Sequence, residues 1–262
     1  MSNAYQTPES NLVNESQSTQ DYGSVDKAIR GEYEFSIGAV LSEAWEKTYG
    51  SKWVIQLSFF FYFIVAIGVM MALGAVTASF MIAGDVGAVP GEIPGEMPVD
   101  MVFMQIFIQL GMNLIILPMV MGLLMIGIRR SVDAPISATM VFKQFSKMIP
   151  LFITMLLMYI MVFIGFLLLV IPGIYLMVAY YMAMPLVVEK GMNPWQALET
   201  SRKAITHRWF SVFGLFIILM IIITISMLPL GIGLIWTMPM MLIAYGILYR
   251  NMFGVEVATI AE

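Results

Sequence analysis

Residues 170–203 read VIPGIYLMVAYYMAMPLVVEKGMNPWQALETSRK, and the stretch changes character twice. It opens with a Pro-Gly pair, continues as an uncharged apolar run, and becomes charged from Glu189 onward. This order is typical of a membrane span that starts at an outer turn, here Pro172 and Gly173, and leaves the bilayer at Glu189. Asn193 can then cap a second, amphipathic helix.

The whole chain shares the apolar character of this stretch. Of its 262 residues, 60% are apolar and only 11% are charged, whereas soluble domains carry about 25% charged residues. Because a spanning helix needs about 20 uncharged residues, the two shorter uncharged tracts fit one helix each and the two longer ones fit two each. These tracts are 53–84 and 101–128, then 148–188 and 209–249. The sequence therefore predicts an all-α polytopic integral membrane protein with six transmembrane helices.

The basic residues predict the topology. All 13 Lys and Arg residues fall on one predicted side of the membrane. The charged residues of the loop 84–100, on the other side, are all acidic. Lys and Arg mark the cytoplasmic side, so we expect both termini in the cytoplasm and the protein in a bacterial inner membrane. Residues 1–30 are polar and predict a disordered tail, followed by a single membrane domain over 31–262. The acidic loop matches no calcium site and reads as a solvated linker.

One structural unit is predicted three times, as a hairpin of two spans preceded by a cytoplasmic-side amphipathic interfacial helix. In two of the units an Arg, Arg129 or Arg250, follows a Pro by eleven positions. Pro135 is expected in the first turn of the second interfacial helix. The predicted units are 36–49 with spans 53–83 and 101–128, 135–147 with spans 148–170 and 174–188, and 194–206 with spans 209–229 and 234–250.

Two blocks of sequence resemble a known family. The segments IPGIYL, MPLVVEKGMNPWQALETSRKAI and GIGLIWTMPMMLIAYGILYRNMFG, within 171–252, resemble the YciC-like group of bacterial six-span inner-membrane proteins. FSIGAVLSEAWEKTYGSKW, over 35–53, resembles the N-terminal helix of that group. The resemblance implies a six-span inner-membrane protein, and it implies no activity, cofactor or site residue.

Uncharged polar residues and prolines are the candidates for a transport pathway. Apart from Arg250, the last residue of the sixth span, no charged residue lies inside a predicted span, which argues against a proton- or ion-coupled pump. A polar stripe on the second span, together with one residue of the sixth, could line a cavity or could hydrogen-bond between helices: Gln105, Gln109, Asn113 and Thr237. Prolines in the second helix of each hairpin could kink it at a substrate site or could simply be tolerated there: Pro118, Pro185 and Pro239.

Signals for metals, cofactors and catalysis are absent from the sequence. The chain has no Cys and one His, so its 26 Met residues read as adaptable packing rather than a copper site. Phosphate-binding, nucleophile-elbow and zinc motifs are missing, and we expect neither an enzyme nor a nucleic-acid partner.

Basic residues at the cytoplasmic interface are expected to attract anionic lipid head groups of that leaflet, each by about 1 kcal/mol. They are Arg129, Arg130, Lys143, Lys147, Lys190, Arg202, Lys203 and Arg208. Two hypotheses follow. In the first, which we favour, a non-catalytic protein organises anionic lipid or membrane partners, which include further copies of itself. In the second, a small uncoupled transporter or channel has its pathway between the three hairpins.

Overall fold

The computed structural model describes residues 22–86 and 99–261, and every regular element within them is a helix. A 3₁₀ helix, Ala138–Lys147, leads directly into the fifth α-helix. In chain order the α-helices are α1 (Val25–Arg30), α2 (Ile37–Thr48), α3 (Lys52–Val86), α4 (Val99–Ser131), α5 (Met148–Leu168), α6 (Val170–Ala179), α7 (Ala183–Glu189), α8 (Pro194–Thr206), α9 (Trp209–Met227), α10 (Leu234–Phe253) and α11 (Val257–Ala261). The predicted all-α class is confirmed.

Five segments of the described chain are long and apolar enough to cross a membrane: Lys52–Ser79, Val102–Ser131, Ala138–Leu168, Val170–Glu189 and Trp209–Met227. The coarse prediction of several membrane-spanning helices is therefore supported. The helix at the predicted sixth span, α10, is not among the five. It carries Tyr245, Tyr249 and Arg250, and most of its residues are buried. Its lower hydropathy reflects a position at the centre of the molecule rather than at a surface facing lipid.

The centre is formed by α10 and the second half of α4. A Cβ atom added to Gly246 would collide with the carbonyl oxygen of Gly127, and one added to Gly127 would collide with that of Leu242. Small residues at such positions let two helix backbones touch. Pro118 and Pro239 lie buried inside α4 and α10, both of which continue through the proline.

The third hairpin, α9–α10, is staggered relative to the first, α3–α4. Near the start of α3, the Gln56 amide Nε2 donates to the carbonyl oxygens of Leu234 (3.1 Å) and Ile235 (3.0 Å), in the first turn of α10. Three upright hairpins of equal depth would put these points on opposite sides of the bilayer. From Gln56, α3 continues to Val86, a distance of about 45 Å. The α9–α10 turn therefore lies far short of the outer end of α3.

The second hairpin, α5–α6, is staggered in the same sense. The Trp209 indole Nε1, at the start of α9, donates to the carbonyl oxygen of Tyr175 in α6 (3.2 Å). The hydroxyls of Tyr175 and Thr206 are 2.6 Å apart. The start of α9, which the sequence predicts to be cytoplasmic, thus lies beside the first half of α6. In three hairpins of equal depth, the first half of α6 would lie near the outer surface and far from the start of α9.

The turn between α5 and α6 is not at Pro172 and Gly173, and that prediction is wrong. The chain turns at Leu169, whose backbone is extended (φ −166°, ψ 156°), and Val170 begins α6. Proline fits the first turn of a helix because its missing N–H has no intrahelical partner there. Gly173 is required for packing instead, since an added Cβ would lie 2.5 Å from the Phe166 ring.

The predicted fourth span, 174–188, is two helices, and the break between them lies one turn ahead of Pro185. Helix α6 ends at Ala179 and α7 begins at Ala183. Pro185 is the third residue of α7, where a proline costs no helical hydrogen bond. The discontinuity lies where a proline disrupts a helix, because Pro185 has no N–H to donate to the carbonyl oxygen of Tyr181, four residues earlier, and its ring would clash with that carbonyl. The contacts from α8 and α10 that satisfy the freed backbone groups are described below.

Two further boundaries differ from the sequence prediction. Pro135 is not in the first turn of the second amphipathic helix, because the 3₁₀ helix begins at Ala138 with Ser137 as its cap. Part of the predicted disordered tail is ordered, because residues 25–30 form α1, with the Ser24 hydroxyl accepting from Lys27 N (3.3 Å) and Ala28 buried. The remaining tail, 1–21, and most of the acidic loop, 87–98, lie outside the described residues.

The stagger can be tested by thiol labelling, because the chain contains no native Cys. In intact cells we expect a membrane-impermeant maleimide to label Val99→Cys, at the end of α4 that the distribution of basic residues predicts to lie outside. We expect it not to label Ile232→Cys, in the α9–α10 turn, which the Gln56 contact places level with the start of α3.

Labelling in permeabilised cells controls for the reactivity of each thiol. Equal labelling of the two variants in intact cells would show that the first and third hairpins reach the same depth, contrary to the structure.

Candidate functional site

Helix α8 compensates the break between α6 and α7. The Ser201 hydroxyl donates to the carbonyl oxygen of Ala179 (2.7 Å) and accepts from Met182 N (3.2 Å). From α10, the Tyr245 hydroxyl donates to the carbonyl oxygen of Tyr181 (3.0 Å). These side chains replace backbone hydrogen bonds that a continuous helix would make, so the chain can bend without leaving these groups unpaired.

Next to this break, α6 and α9 are separated by two apolar cavities that follow one another along the two helices. The first cavity, of about 630 Å³, lies between Ile171, Ile174 and Tyr175 of α6 and Trp209, Phe210 and Phe213 of α9. The second, of about 410 Å³, reaches Val178 and Tyr181, Val212 and Phe216 of α9, and Met158 and Val162 of α5. We call the two together the α6–α9 cleft.

The cleft opens toward the outer surface of the helices. Ile171 and Phe210, at the first cavity, are 79% and 84% exposed, and Tyr159 and Met177 at the second are also exposed. Both volumes lie in the range typical of small-molecule sites. Among the described residues, no charged side chain lines either cavity. The cleft therefore suits a hydrocarbon rather than an ion or a polar solute.

One end of the cleft has a polar rim supplied by α8. Thr206 lines the first cavity with Tyr175, and the two hydroxyls are 2.6 Å apart. Hydrogen bonds with Glu199 and then Tyr175 raise the pKa of Arg202. In return, the Arg202 guanidinium lowers the pKa of Glu199, which it contacts at 2.8 and 2.9 Å. Lys203 lies 3.4 Å from the same carboxylate, so the cluster carries two cations and one anion.

Two of the eight predicted head-group residues are buried and bound within the protein. Arg129 is 2% exposed, and its guanidinium donates to the carbonyl oxygens of Pro135 and Thr259. The Lys190 side chain is 9% exposed and lies 2.8 Å from Glu256. Neither is available to a lipid head group, because Arg129 is bonded to Pro135 and Thr259 and Lys190 is paired with Glu256.

The other six basic residues are at the surface of the protein, and their contacts differ. Arg130 contacts Asp133 and the carbonyl oxygen of Lys47, and Arg208 contacts Glu34 (3.1 Å). Lys143 and Lys147 are exposed on the 3₁₀ helix, where they border a separate cavity of about 370 Å³. Only Arg202 and Lys203 lie on the helix that forms the rim of the α6–α9 cleft.

The predicted pathway residues do not come together. Gln105 and Gln109 are exposed on the surface of α4. The Asn113 amide nitrogen donates to the carbonyl oxygen of Gln109 (2.8 Å), and the Thr237 hydroxyl donates to that of Gly233 (3.1 Å), so each bonds within its own helix. None of the four lines either cavity of the cleft.

Two buried polar groups were missed by reasoning from sequence. The Glu189 carboxylate accepts from the Tyr249 hydroxyl (2.8 Å) and from Glu256 N, just ahead of α11. Arg250 donates to both oxygens of Glu43 (2.7 and 2.9 Å). The repeated Pro-to-Arg spacing was the available signal for Arg250, but the spacing does not reveal its partner.

We expect Arg250→Met to lower the free energy of unfolding by about 2–3 kcal/mol, because it leaves Glu43 and the Ser131 carbonyl without their partner. The matched control is Arg208→Met, whose partner Glu34 is 89% exposed in its side chain, and which should cost less than about 1 kcal/mol. Denaturant unfolding in a mild detergent measures both. Equal losses would show that the Arg250 pair contributes no more than a surface pair.

Metal ligands and relatives give no further guide to function. Within residues 22–86 and 99–261, no group of three or more His, Cys, Asp or Glu side chains is arranged to hold a metal ion. No protein-family model matches the chain, and no curated protein or solved structure matches it significantly.

Proposed function

We propose that this chain is a non-catalytic membrane protein that binds a phospholipid in the α6–α9 cleft. The proposal rests on one observation: two apolar cavities lie one after the other along α6 and α9, next to a polar, basic rim on α8. A phospholipid has the same order of parts, since its acyl chains adjoin an ester and a charged head group.

Acyl chains fit the cleft for energetic reasons. Burying hydrocarbon contributes about 0.8 kcal/mol per CH₂ when the alternative is water. In a bilayer that gain is small, so retention of one lipid depends on shape and on the polar groups at the rim. The Thr206 hydroxyl donates to the Arg202 carbonyl oxygen (2.6 Å) and accepts from Tyr175, so both hydroxyl protons are used within the protein. The groups of the rim that can donate to a phosphate oxygen are the Arg202 guanidinium and the Lys203 ammonium.

The charge of the rim favours an anionic head group. Arg202 and Lys203 outnumber Glu199 by one positive charge. A single excess charge near an anionic surface contributes about 1 kcal/mol. This role keeps the lipid-organising hypothesis but confines it to α8, rather than to a collar of all eight basic residues.

The transporter hypothesis has less support. A pathway between the hairpins requires Gln105, Gln109, Asn113 and Thr237 to face a common water-filled space. Gln105 and Gln109 are on the surface of α4, and Asn113 and Thr237 bond within their own helices.

The proposal includes a topology. Six helices enter a bacterial inner membrane as three hairpins, with the basic segments and both termini on the cytoplasmic side. The first hairpin crosses fully, and the staggered second and third hairpins enter from the cytoplasmic side. Membership of the YciC-like group stays a prediction from sequence resemblance.

Filling the cleft should displace the lipid. We expect Val162→Trp, in the second cavity, to abolish retention of a bound phospholipid when the protein leaves native membrane vesicles without detergent exchange. Native mass spectrometry measures the retained mass. Ile160→Trp is the control, because Ile160 is on the same helix but faces outward and is exposed. The proposal fails if the wild-type protein carries no lipid, or if both variants retain it equally.

The head-group preference should depend on α8. Replacing Arg202 and Lys203 by Gln changes the charge of the rim from +1 to −1, so the preference for phosphatidylglycerol over phosphatidylethanolamine should fall about thirtyfold, at about 1 kcal/mol for each of the two charges. Competition between the two lipids in nanodiscs of mixed composition measures this ratio. Lys147→Gln, on the 3₁₀ helix, should leave it unchanged, and an equal effect there would assign the preference to general surface charge.

A further inference from the structure

The C-terminal helix α11 contacts charged side chains that are buried, although no residue of α11 is itself buried. Arg129 is 2% exposed, and the Glu189 and Lys190 side chains are 0% and 9% exposed. Val257, by contrast, is 76% exposed on α11. The helix is therefore held in place by polar contacts with buried charges rather than by apolar packing.

Two cations of the helical body hold oxygen atoms of the C-terminal segment. The Arg129 guanidinium donates to the carbonyl oxygens of Thr259 and Ile260 (3.5 Å for the second). The Lys190 ammonium donates to the Glu256 carboxylate (2.8 Å), just ahead of α11. The C-terminal segment thus presents a carboxylate and two carbonyl oxygens to one arginine and one lysine.

The buried charges keep partners of their own when α11 is removed. Glu189 still accepts from the Tyr249 hydroxyl (2.8 Å) and lies 3.3 Å from Lys190. Arg129 still donates two N–H groups to the carbonyl oxygen of Pro135, at 3.0 and 2.9 Å. A helix of five residues is too short to be stable alone, so α11 loses its helical structure when it leaves. Release of α11 therefore leaves none of these charges unpaired and exposes little apolar surface.

Both cations lie at the ends of candidate membrane spans. Arg129 is in the last turn of the span Val102–Ser131, and Lys190 directly follows the span Val170–Glu189. Lipid head groups surround the ends of spanning helices, and basic residues at the cytoplasmic ends attract anionic ones. A phosphate group offers the same kind of acceptor as α11 does, namely oxygen atoms, and it adds a negative charge.

We propose that Arg129 and Lys190 form a site for the phosphate group of an anionic phospholipid, and that α11 occupies this site as an internal competitor. The structure shows the closed state, in which backbone and carboxylate oxygens stand where phosphate oxygens bind. An anionic membrane surface opens the site, because it attracts the two cations and repels the Glu256 carboxylate. The site explains why two of the interfacial basic residues are covered by a segment that buries nothing of its own.

A nitroxide label on Ala258→Cys measures the release, because Ala258 is exposed on α11 and the chain has no native Cys. In nanodiscs of phosphatidylcholine, most of the label should be immobile. In an equal mixture with phosphatidylglycerol, the ratio of mobile to immobile label should rise about thirtyfold, which corresponds to about 1 kcal/mol for each of the two cations. An unchanged ratio would overturn the proposal. An equal rise with inorganic phosphate in phosphatidylcholine nanodiscs would assign the site to a soluble anion instead of a lipid.

A change of one cation tests where the lipid acts. With Lys190→Gln in the labelled protein, the response to phosphatidylglycerol should fall to about fivefold, since one of the two charges remains. Lys27→Gln is the control, because Lys27 is an exposed cation on α1 and makes no contact with α11. It should keep the full response. An equal fall in both variants would assign the response to general surface charge and overturn the site.

A change in α11's own segment tests the competition without disturbing the buried residues. The Glu256 side chain is 54% exposed, and Glu256→Gln should raise the mobile fraction about threefold in phosphatidylcholine alone, because it weakens the contact with Lys190. No rise would show that this carboxylate does not hold α11 in the site.

The site is independent of the lipid in the α6–α9 cleft. Val162→Trp, which fills the cleft, should leave the response of the label unchanged. Loss of the response in that variant would place the effect in the cleft and overturn the α11 site.

Discussion

The close backbone contact between α4 and α10 at Gly127 and Gly246 is the constraint on which the other elements depend. It places α10 against the C-terminal half of α4, and so fixes where the α9–α10 turn lies along the first hairpin. The same pairing brings Arg250 to Glu43 of α2 and to the Ser131 carbonyl at the end of α4. One pair of glycines thereby connects the position of the third hairpin to the ion pair that α10 makes with α2.

A second consequence of this arrangement is the cleft between α6 and α9. Since α10 and α8 supply hydrogen bonds to the broken segment between α6 and α7, that segment does not need to pack tightly on α9. The helices are joined at their polar ends, by Trp209 and Tyr175, and stay apart beside the two cavities.

Much of the helix content could be predicted from sequence because hydropathy and capping are local properties. The apolar tracts gave the candidate spans, and Asn193 with Pro194 marked the start of α8. The stagger depends on Gln56 reaching α10, so it could not be read from its own segment. Pro185 was a local signal for the break ahead of it, whereas the side chains that satisfy that break, Ser201 of α8 and Tyr245 of α10, could not be read from the same segment. Likewise, an Arg after an apolar run looks the same whether it meets lipid or, as Arg129 does, a carbonyl of α11.

The length of α3 has a consequence for the membrane itself. Its uncharged tract, 53–84, is about 48 Å long as a helix, whereas the hydrocarbon core is about 30 Å thick. Tilting within the usual range shortens the projected length but does not remove the excess. Each ångström of mismatch costs a fraction of a kcal/mol, so a thicker bilayer accommodates this helix better. The first hairpin should therefore respond to bilayer thickness, and the protein should partition into the thicker regions of a membrane.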